Sequence, residues 1–295
     1  MDITLILPED CISHIISLTS PRDACRLTVV SPVFKSAAES DTVWEMFLPS
    51  DYLEILSTSV SASSLTTSFS KKKDLYFHLC HNPILVSGGT MSFALEKESG
   101  KKCYMICARE FAIEWGNTPS YWIWPSLPES MFAEAAELKI VWWFDIKARV
   151  ETKILSSKTN YGAYLVFKFA ETRYGFKERL VDFEVYFEGS GNGERRRALL
   201  DLPPNMLPLS QERGDGWMEI EMDEFFIENG DYGKVMVPLS RERGDGWMEI
   251  EMGEFFNENG DDGKVVCSVF DFDGFRRKGG IIIQGIELRP ENSPC

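Results

Sequence analysis

The sequence predicts a chain in two parts, a small helical unit followed by an antiparallel β-sandwich. Three observations predict it. Within 5–48, apolar residues recur at helical spacing and are interrupted by Ser-Pro pairs. From Ile84 onward the apolar period changes to two. Between these regions lies STSVSASSLTTSFS (57–70), a Ser/Thr-rich stretch of linker composition. The expected organisation is therefore a helical unit at 1–50, a linker at 51–71 and a β-domain at 72–295.

The helical elements follow from their punctuation. Pro8 suits a first helical turn, and Glu9 and Asp10 complement the positive end of the dipole. Ile12, Ile15 and Ile16 then fall on one face. Ser20-Pro21-Arg22-Asp23 reads as a second start, with Ser20 as cap and Asp23 reaching back. Ala24, Leu27 and Val30 form that helix's stripe. Ser31-Pro32 is a third start, followed by Phe34, Ala37 and Ala38. Asp41 can cap a last turn carrying Val43, Trp44 and Phe47. A unit under 50 residues rarely buries enough surface to stand alone. Its apolar residues point in more directions than one small core can absorb, so a partner is expected to cover the remainder.

KKKDLYFHLC (71–80) reads as a short helix stopped before Asn82-Pro83. Strands are expected where residues alternate: Ile140, Trp142, Phe144 and Ile146; Ala163, Leu165, Phe167 and Phe169; Val181, Phe183, Val185 and Phe187; and Ile282, Ile286 and Leu288 at the end. A short helix is expected in PESMFAEAAEL (128–138). Trp115, Tyr121, Trp122 and Trp124 cluster in a stretch rich in Gly, Asn, Pro and Ser, which reads as a loop, with a binding role and a plug over the sandwich equally open.

One segment occurs twice. LSQERGDGWMEIEMDEFFIENGDYGKVM (209–236) returns as LSRERGDGWMEIEMGEFFNENGDDGKVV (239–266), with five of 28 positions changed. Two copies are a tandem duplication, short of the three units a solenoid needs. The copy at 239–266 runs straight into the closing strand and is expected to hold the regular place in the sheet, with 209–236 inserted. In each copy Met218, Ile220 and Met222 (or their equivalents) should face inward. Trp217, Glu219 and Glu221, and Trp247, Glu249 and Glu251, should face outward. Outward aromatics beside carboxylates suit a sugar. On this pattern alone, Trp packed on a neighbouring loop beside solvated acids is the preferred reading.

Composition excludes several classes. The net charge of −15 argues against nucleic acid and anionic membranes. Residues 201–262 hold 17 acids and 4 bases, so the acidity belongs to the duplicated region. No apolar run reaches membrane-span length, and Met1-Asp2-Ile3 lacks a basic signal-peptide start. Seven cysteines, odd in number and without CxxC, fit reduced thiols in the cytosol or nucleus. His78 and His81, three apart with no second cluster, make no metal site. His14 and this pair have no convincing Cys or Ser nucleophile beside them, and there is no P-loop. No enzyme activity, cofactor or metal is implied.

Leu7-Pro8-Glu9-Asp10, the Ile12/Ile15/Ile16 stripe, Leu27, Val30-Ser31, Phe34 and Trp44 resemble an F-box along its full length. The resemblance implies that Leu7, Pro8, Ile12, Ile15, Ile16, Leu27, Val30, Phe34 and Trp44 dock a Skp-type adaptor and, through it, a cullin ubiquitin ligase. From about Lys72 onward the chain resembles the plant phloem-protein-two or tobacco-agglutinin-like lectin domain. KKCYMICAREFAIEWGNTPSYWIW (101–124), AELKIVWWFDIKARVETK (136–153), YLVFKF (164–169), DGWMEIEMGEFFNENGDDG (245–263) and IIIQGIELRP (281–290) carry that likeness. It implies a jelly-roll-like sandwich that binds N-acetylglucosamine oligomers or glycoprotein glycans through two Trp and two Glu, each pair seven apart. Trp115 and Trp122 match the first pair and Glu254 the first Glu. Asp261 stands where the second Glu is expected, and Glu224 and Asp231 match equally in the extra copy. The expected function is substrate recognition for a Skp–cullin–F-box ligase with glycan or glycoprotein cargo. A free cytoplasmic or nuclear lectin without a ligase role, and a sandwich that binds polypeptide, are the alternatives.

Overall fold

The computed structural model describes residues 7–60, 62, 69–177, 179–190, 193–201 and 241–291, and within 202–240 the backbone of three strands. The chain divides into two compact units, one within Met1–Met105 and the other Ile106–Glu291.

The first unit opens with four short helices, α1 (Glu9–Ser17), α2 (Pro21–Leu27), α3 (Pro32–Ala38) and α4 (Asp41–Phe47). Their starts follow the punctuation. Ser20 Oγ accepts from Asp23 N at 3.1 Å and Ser31 Oγ from Phe34 N at 3.3 Å, with Pro21 and Pro32 at the first helical positions. Each such cap stabilises by about 1 kcal/mol. Asp41 does not cap α4; it is the first residue of that helix, and its Oδ1 accepts from Lys72 N at 2.9 Å. The expected linker begins instead with a helix, α5 (Tyr52–Ser57), which buries Tyr52, Ile55 and Leu56; of the Ser-rich stretch, 61 and 63–68 lie outside the described residues. α6 (Lys72–His81) belongs with the helices rather than with the sandwich, so the boundary lies later than residue 71. Tyr76 and Phe77 set their rings 5.1 and 5.2 Å from Trp44, and Tyr76 Oη donates to the carbonyls of Glu96 and Lys97. Strands β1 (Ile84–Val86), β2 (Met91–Leu95) and the first four residues of β3 (Lys102–Cys107) complete this unit.

The second unit is a sandwich of two antiparallel sheets. One runs β17 (Gly279–Pro290), β8 (Thr159–Tyr174), β15 (Met248–Asn257) and β14 (Arg241–Glu242), with β6 (Ala136–Leu138) on β17 and β5 (Trp122–Ile123) on β6. The other runs β10 (Glu194–Leu199), β9 (Leu180–Phe187), β16 (Lys264–Asp271), β7 (Phe144–Glu151) and β4 (Ala112–Ile113). Strict alternation in β7 buries Phe144, Ile146, Ala148 and Val150; in β9 it buries Val181, Phe183 and Val185. Leu165, Phe167, Ile250, Met252 and Phe255 of the other sheet are buried as well, and Phe255 meets Phe187 of β9 edge-on. Two sequence expectations change. Ile140 to Trp143 lie before β7 rather than in it, and 128–138 is turn followed by β6, not helix. The backbone there is claimed by pairing: Trp122 faces Leu138, and Ile282 faces Glu137.

The duplicated segments share one local structure and differ in their partners. In the first copy β11 (Ser210–Glu212) sets Gln211 against Glu219 and Glu212 against Met218 of β12 (Trp217–Ile220). Thirty residues later Arg241 faces Glu249 and Glu242 faces Met248. The register is identical, so this hairpin is encoded locally. Gly244 and Gly246 supply the positive φ its turn needs (81° and 84°), and Asp245 Oδ1 accepts from Trp247 N. The next pairing is not shared. β12 pairs β13 (Val235–Pro238) in a separate three-stranded sheet, whereas β15 pairs β8 in the sandwich.

Four of the five differences fall where the second copy's place in the sandwich is made. Gly253 is buried with φ +155°, and a Cβ there would stand 3.1 Å from Val185 Cγ2; the first copy carries Asp223 at this place. Asn257 is fully buried and donates to the carbonyls of Thr152 and Ser156; its counterpart is Ile227. Asp262 accepts from Asn259 N and Nδ2 to close the turn, where the first copy has Tyr232. Val266 is buried where the first copy has Met236, and only Arg241, against Gln211, is exposed.

Candidate functional site

The helical unit sorts its expected docking residues into two groups. Ile12, Ile16 and Trp44 are core residues, with Trp44 Nε1 donating to Ala38 O at 2.8 Å. Pro8, Ile15 and Val30 face solvent, and Leu7, Leu27 and Phe34 are half-buried. Ile15 is 50% exposed. Leu18 and Val29 are more exposed still, Val29 at 87%, and sequence reading missed both. Leu18 ends α1 one turn after Ile15, and Val29 sits in the turn between α2 and α3, outside any periodic stripe. Each such aliphatic forgoes about 1.5–3 kcal/mol by staying in water.

The sandwich presents an aromatic cavity of about 300 Å³, lined by Trp115, Tyr121, Ile140, Val141, Trp142, Trp143 and Arg277. Three separate segments build it. Trp115 takes a left-handed φ of 56° in the loop after β4, and Glu114 N donates to Asp145 O at 3.0 Å, which holds this loop at the start of β7. Trp143 meets Trp115 edge-on at 4.4 Å, and Tyr121 lies 5.7 Å from Trp115. Val141 and Lys278 exchange both backbone hydrogen bonds, which brings Arg277 to the rim with its guanidinium 5.0 Å from the Trp142 ring.

Lys278 fixes that rim. Its side chain is fully buried, and Nζ donates to the carbonyls of Trp142 and Asp273, both at 2.7 Å, with Asp271 Oδ2 at 3.3 Å. Burial lowers its pKa, and Asp271 opposes that shift. Asp273 Oδ1 in turn accepts from Phe275 N, so 271–278 is a turn wound around one ammonium. The sequence signal for the cavity is the doublet Trp142-Trp143, two bulky indoles side by side just ahead of β7, of which Trp142 stays 47% exposed.

The four residues expected to bind sugar are not brought together. Trp122 is 1% exposed, packed inside, and its Nε1 has no partner among the described residues. Trp115 lies at the start of β7. Asp261 precedes Asp262, whose N donates to Thr152 Oγ1 just past the end of β7. Eight residues of β7 at about 3.3 Å each separate the two ends by about 23 Å. Glu254 and Asp261 are exposed, and Glu254 accepts from Asn160 Nδ2 at 2.7 Å. Glu224 and Asp231 lie outside the described residues.

In the second copy the Trp packs on a neighbouring loop, as preferred, but the acids beside it are not solvated. Trp247 precedes β15 and is fully buried, with Nε1 donating to Glu129 O at 3.0 Å and Lys168 Nζ 5.0 Å from its ring. Glu249 is neither solvated nor free. Arg289 binds both its oxygens at 2.8 and 3.0 Å, and Arg243 reaches it at 3.0 Å. Burial pushes its pKa up, but Arg289 and Arg243 outweigh that and hold it below the usual value. Glu251 is pushed up by burial, which its ion pair with Arg196 only partly offsets. The side chains of Trp217, Glu219 and Glu221 lie outside those described.

Comparison with known proteins gives two family matches: the F-box domain over residues 5–46, and Phloem protein 2 over 101–240 and again over 231–290, each match taking in one copy of the duplicated segment. Among relatives, "F-box protein PP2-B10" of Arabidopsis thaliana is 41% identical, covering 96% of this chain and 92% of that protein. "Putative F-box protein PP2-B12" of the same plant is 39% identical, covering 97% of this chain and 98% of that protein. Among solved structures, a family 35 carbohydrate binding module from Clostridium thermocellum aligns over 63% of this chain and 96% of its own, at 10% identity and a TM-score of 0.30, a likeness too loose to carry weight. The helical unit and the sandwich thus define a class, an F-box joined to a lectin-like β-sandwich. Within that class, the chain belongs to the phloem protein 2 family in its F-box-bearing form.

Proposed function

We propose that this chain is the substrate-recognition subunit of a Skp–cullin–F-box ubiquitin ligase, with glycan or glycoprotein as cargo. The observation that carries the docking half is the set of apolar residues left in water, Ile15, Leu18, Val29 and Val30, on a unit that matches the F-box. A Skp-type adaptor covering them would complete the burial that so short a unit cannot achieve by itself. Pro8, Leu7, Leu27 and Phe34 extend the same contact, while Ile12, Ile16 and Trp44 support it from within. The cargo half rests on family membership and on the aromatic cavity, whose indole faces suit the apolar face of a sugar ring. The chain performs no catalysis in this reading; the adaptor and cullin bring the transfer machinery. Six free thiols among the described residues are in keeping with a cytosolic or nuclear setting, and no described helix is long and apolar enough to cross a membrane.

The test is capture by recombinant Skp-type adaptor, wild type against Ile15→Asp. Ile15 is exposed, so the substitution spares the core, whereas Trp44→Ala would open a large cavity in it. Capture by the wild type that disappears in Ile15→Asp supports the ligase role. No capture of folded wild type removes it.

A further inference from the structure

We propose that the aromatic cavity takes a saccharide unit bearing a carboxylate, with Arg277 as the anion anchor and Trp142 as the stacking wall. The inference rests on the glycan reading above and narrows its ligand class.

The cavity wall offers donors and almost no free acceptors. Among the described residues, no hydrogen-bond partner is present for the indole N–H of Trp115, Trp142 or Trp143, for the phenol of Tyr121, or for the guanidinium of Arg277. Every one of these groups donates; only the phenol can also accept. The backbone acceptors around the cavity are largely engaged. Trp115 O takes Thr118 N at 2.8 Å, and Tyr121 O takes Lys139 N at 2.8 Å. Val141 O takes Lys278 N at 2.7 Å, and Trp142 O takes Lys278 Nζ. A wall of donors with its acceptors already engaged fits a ligand rich in acceptors. Each hydroxyl of a sugar brings a proton that needs an acceptor along with its lone pairs, whereas a carboxylate in place of a hydroxymethyl group brings lone pairs only and suits a wall of donors better.

Charge points the same way. The chain carries −15, and most arginines of the sandwich are tied to carboxylates: Arg109 to Glu134, Arg173 to Asp201, Arg179 to Asp271, Arg195 to Asp182 and Arg289 to Glu249. Arg277 has no such partner among the described residues. It is held over Trp142 by a turn that the buried Lys278 ammonium fixes from beneath. A guanidinium kept free in so acidic a domain, and positioned beside four aromatic rings, is arranged to pair with an anion that arrives with its ligand. The cavity of about 300 Å³ has room for one sugar ring.

The experiment is calorimetric titration of the full chain with tri-galacturonate and with N-acetylchitotriose at low salt, repeated for Arg277→Gln and Trp142→Ala. Both positions are exposed, and circular dichroism confirms that the variants fold. The expected result is an acidic trimer bound about tenfold or more tightly than the neutral one, in line with a charge-assisted hydrogen bond. That preference is lost in Arg277→Gln, and both affinities fall in Trp142→Ala. Equal binding of the two trimers by the wild type overturns the anion anchor and leaves the glycan reading standing. Binding of neither trimer by folded wild type overturns both. A preference that survives Arg277→Gln also overturns the assignment.

Discussion

Removal of residues 209–238 should leave the sandwich intact and hold or raise its stability. The second copy of the duplicated segment supplies β14, β15 and the start of β16, so the first is not needed for either sheet. The join is benign, because Pro208-Leu209 and Pro238-Leu239 carry the same dipeptide. Between the end of β10 at Leu199 and the start of β14 at Arg241 run 41 residues, and the deletion leaves 11. Closing a loop costs about 0.6 kcal/mol per doubling of length, so this shortening returns about 1.2 kcal/mol. It also removes six net negative charges from an over-acidic domain, which eases self-repulsion. Urea unfolding, followed by tryptophan fluorescence and near-ultraviolet circular dichroism, measures the difference. A midpoint equal to or above that of the full chain fits the reasoning. A loss of more than about 2 kcal/mol, or a sandwich without a cooperative transition, refutes it, since the first copy would then hold something the sheets need.

Asn257→Ile, which installs the residue of the first copy, strands the carbonyls of Thr152 and Ser156 and should cost about 2–4 kcal/mol in the same urea assay. Lys278→Met removes a buried ammonium from two short carbonyl contacts and from Asp271; it should cost about 3 kcal/mol or more and make the 271–278 turn susceptible to limited proteolysis. Glu249 has its folded pKa held below the ordinary value of 4.5, so its stabilising contribution is present above that value and is lost as pH falls through the folded pKa. Acid titration of stability should therefore show a flatter decline below about pH 4.5 in Glu249→Gln than in the wild type.

Much of the architecture was legible because local chemistry decides it. Ser20-Pro21 and Ser31-Pro32 start helices in the sequence and in the structure alike. Val181, Phe183 and Val185 alternate and are buried in β9. The strands that flank RGDG pair in the same register in both copies. What the sequence did not disclose depends on distant partners. Glu249 looks like a solvated acid until Arg289 and Arg243 arrive on it. PESMFAEAAEL has helical composition, but β17 takes its end as a strand. The cavity was half legible. Trp115 and Tyr121 stood out as aromatics in a loop, whereas Arg277 joins them only because Val141 and Lys278, 137 positions apart, pair their backbones.

The near-identity of the two copies also sets a problem of timing. A ribosome adds about 5–20 residues each second, so the first copy is complete about 1.5–6 s before the second. A hairpin forms in microseconds, and β8 has already been made by then. The early copy therefore meets the vacant edge of β8 with no rival. Order of arrival favours 209–236, and the final structure holds 239–266. The late copy wins through a missing side chain at Gly253, an amide at Asn257 and a carboxylate at Asp262. Two side chains and one absent side chain thus settle strand choice against the order in which synthesis offers the copies.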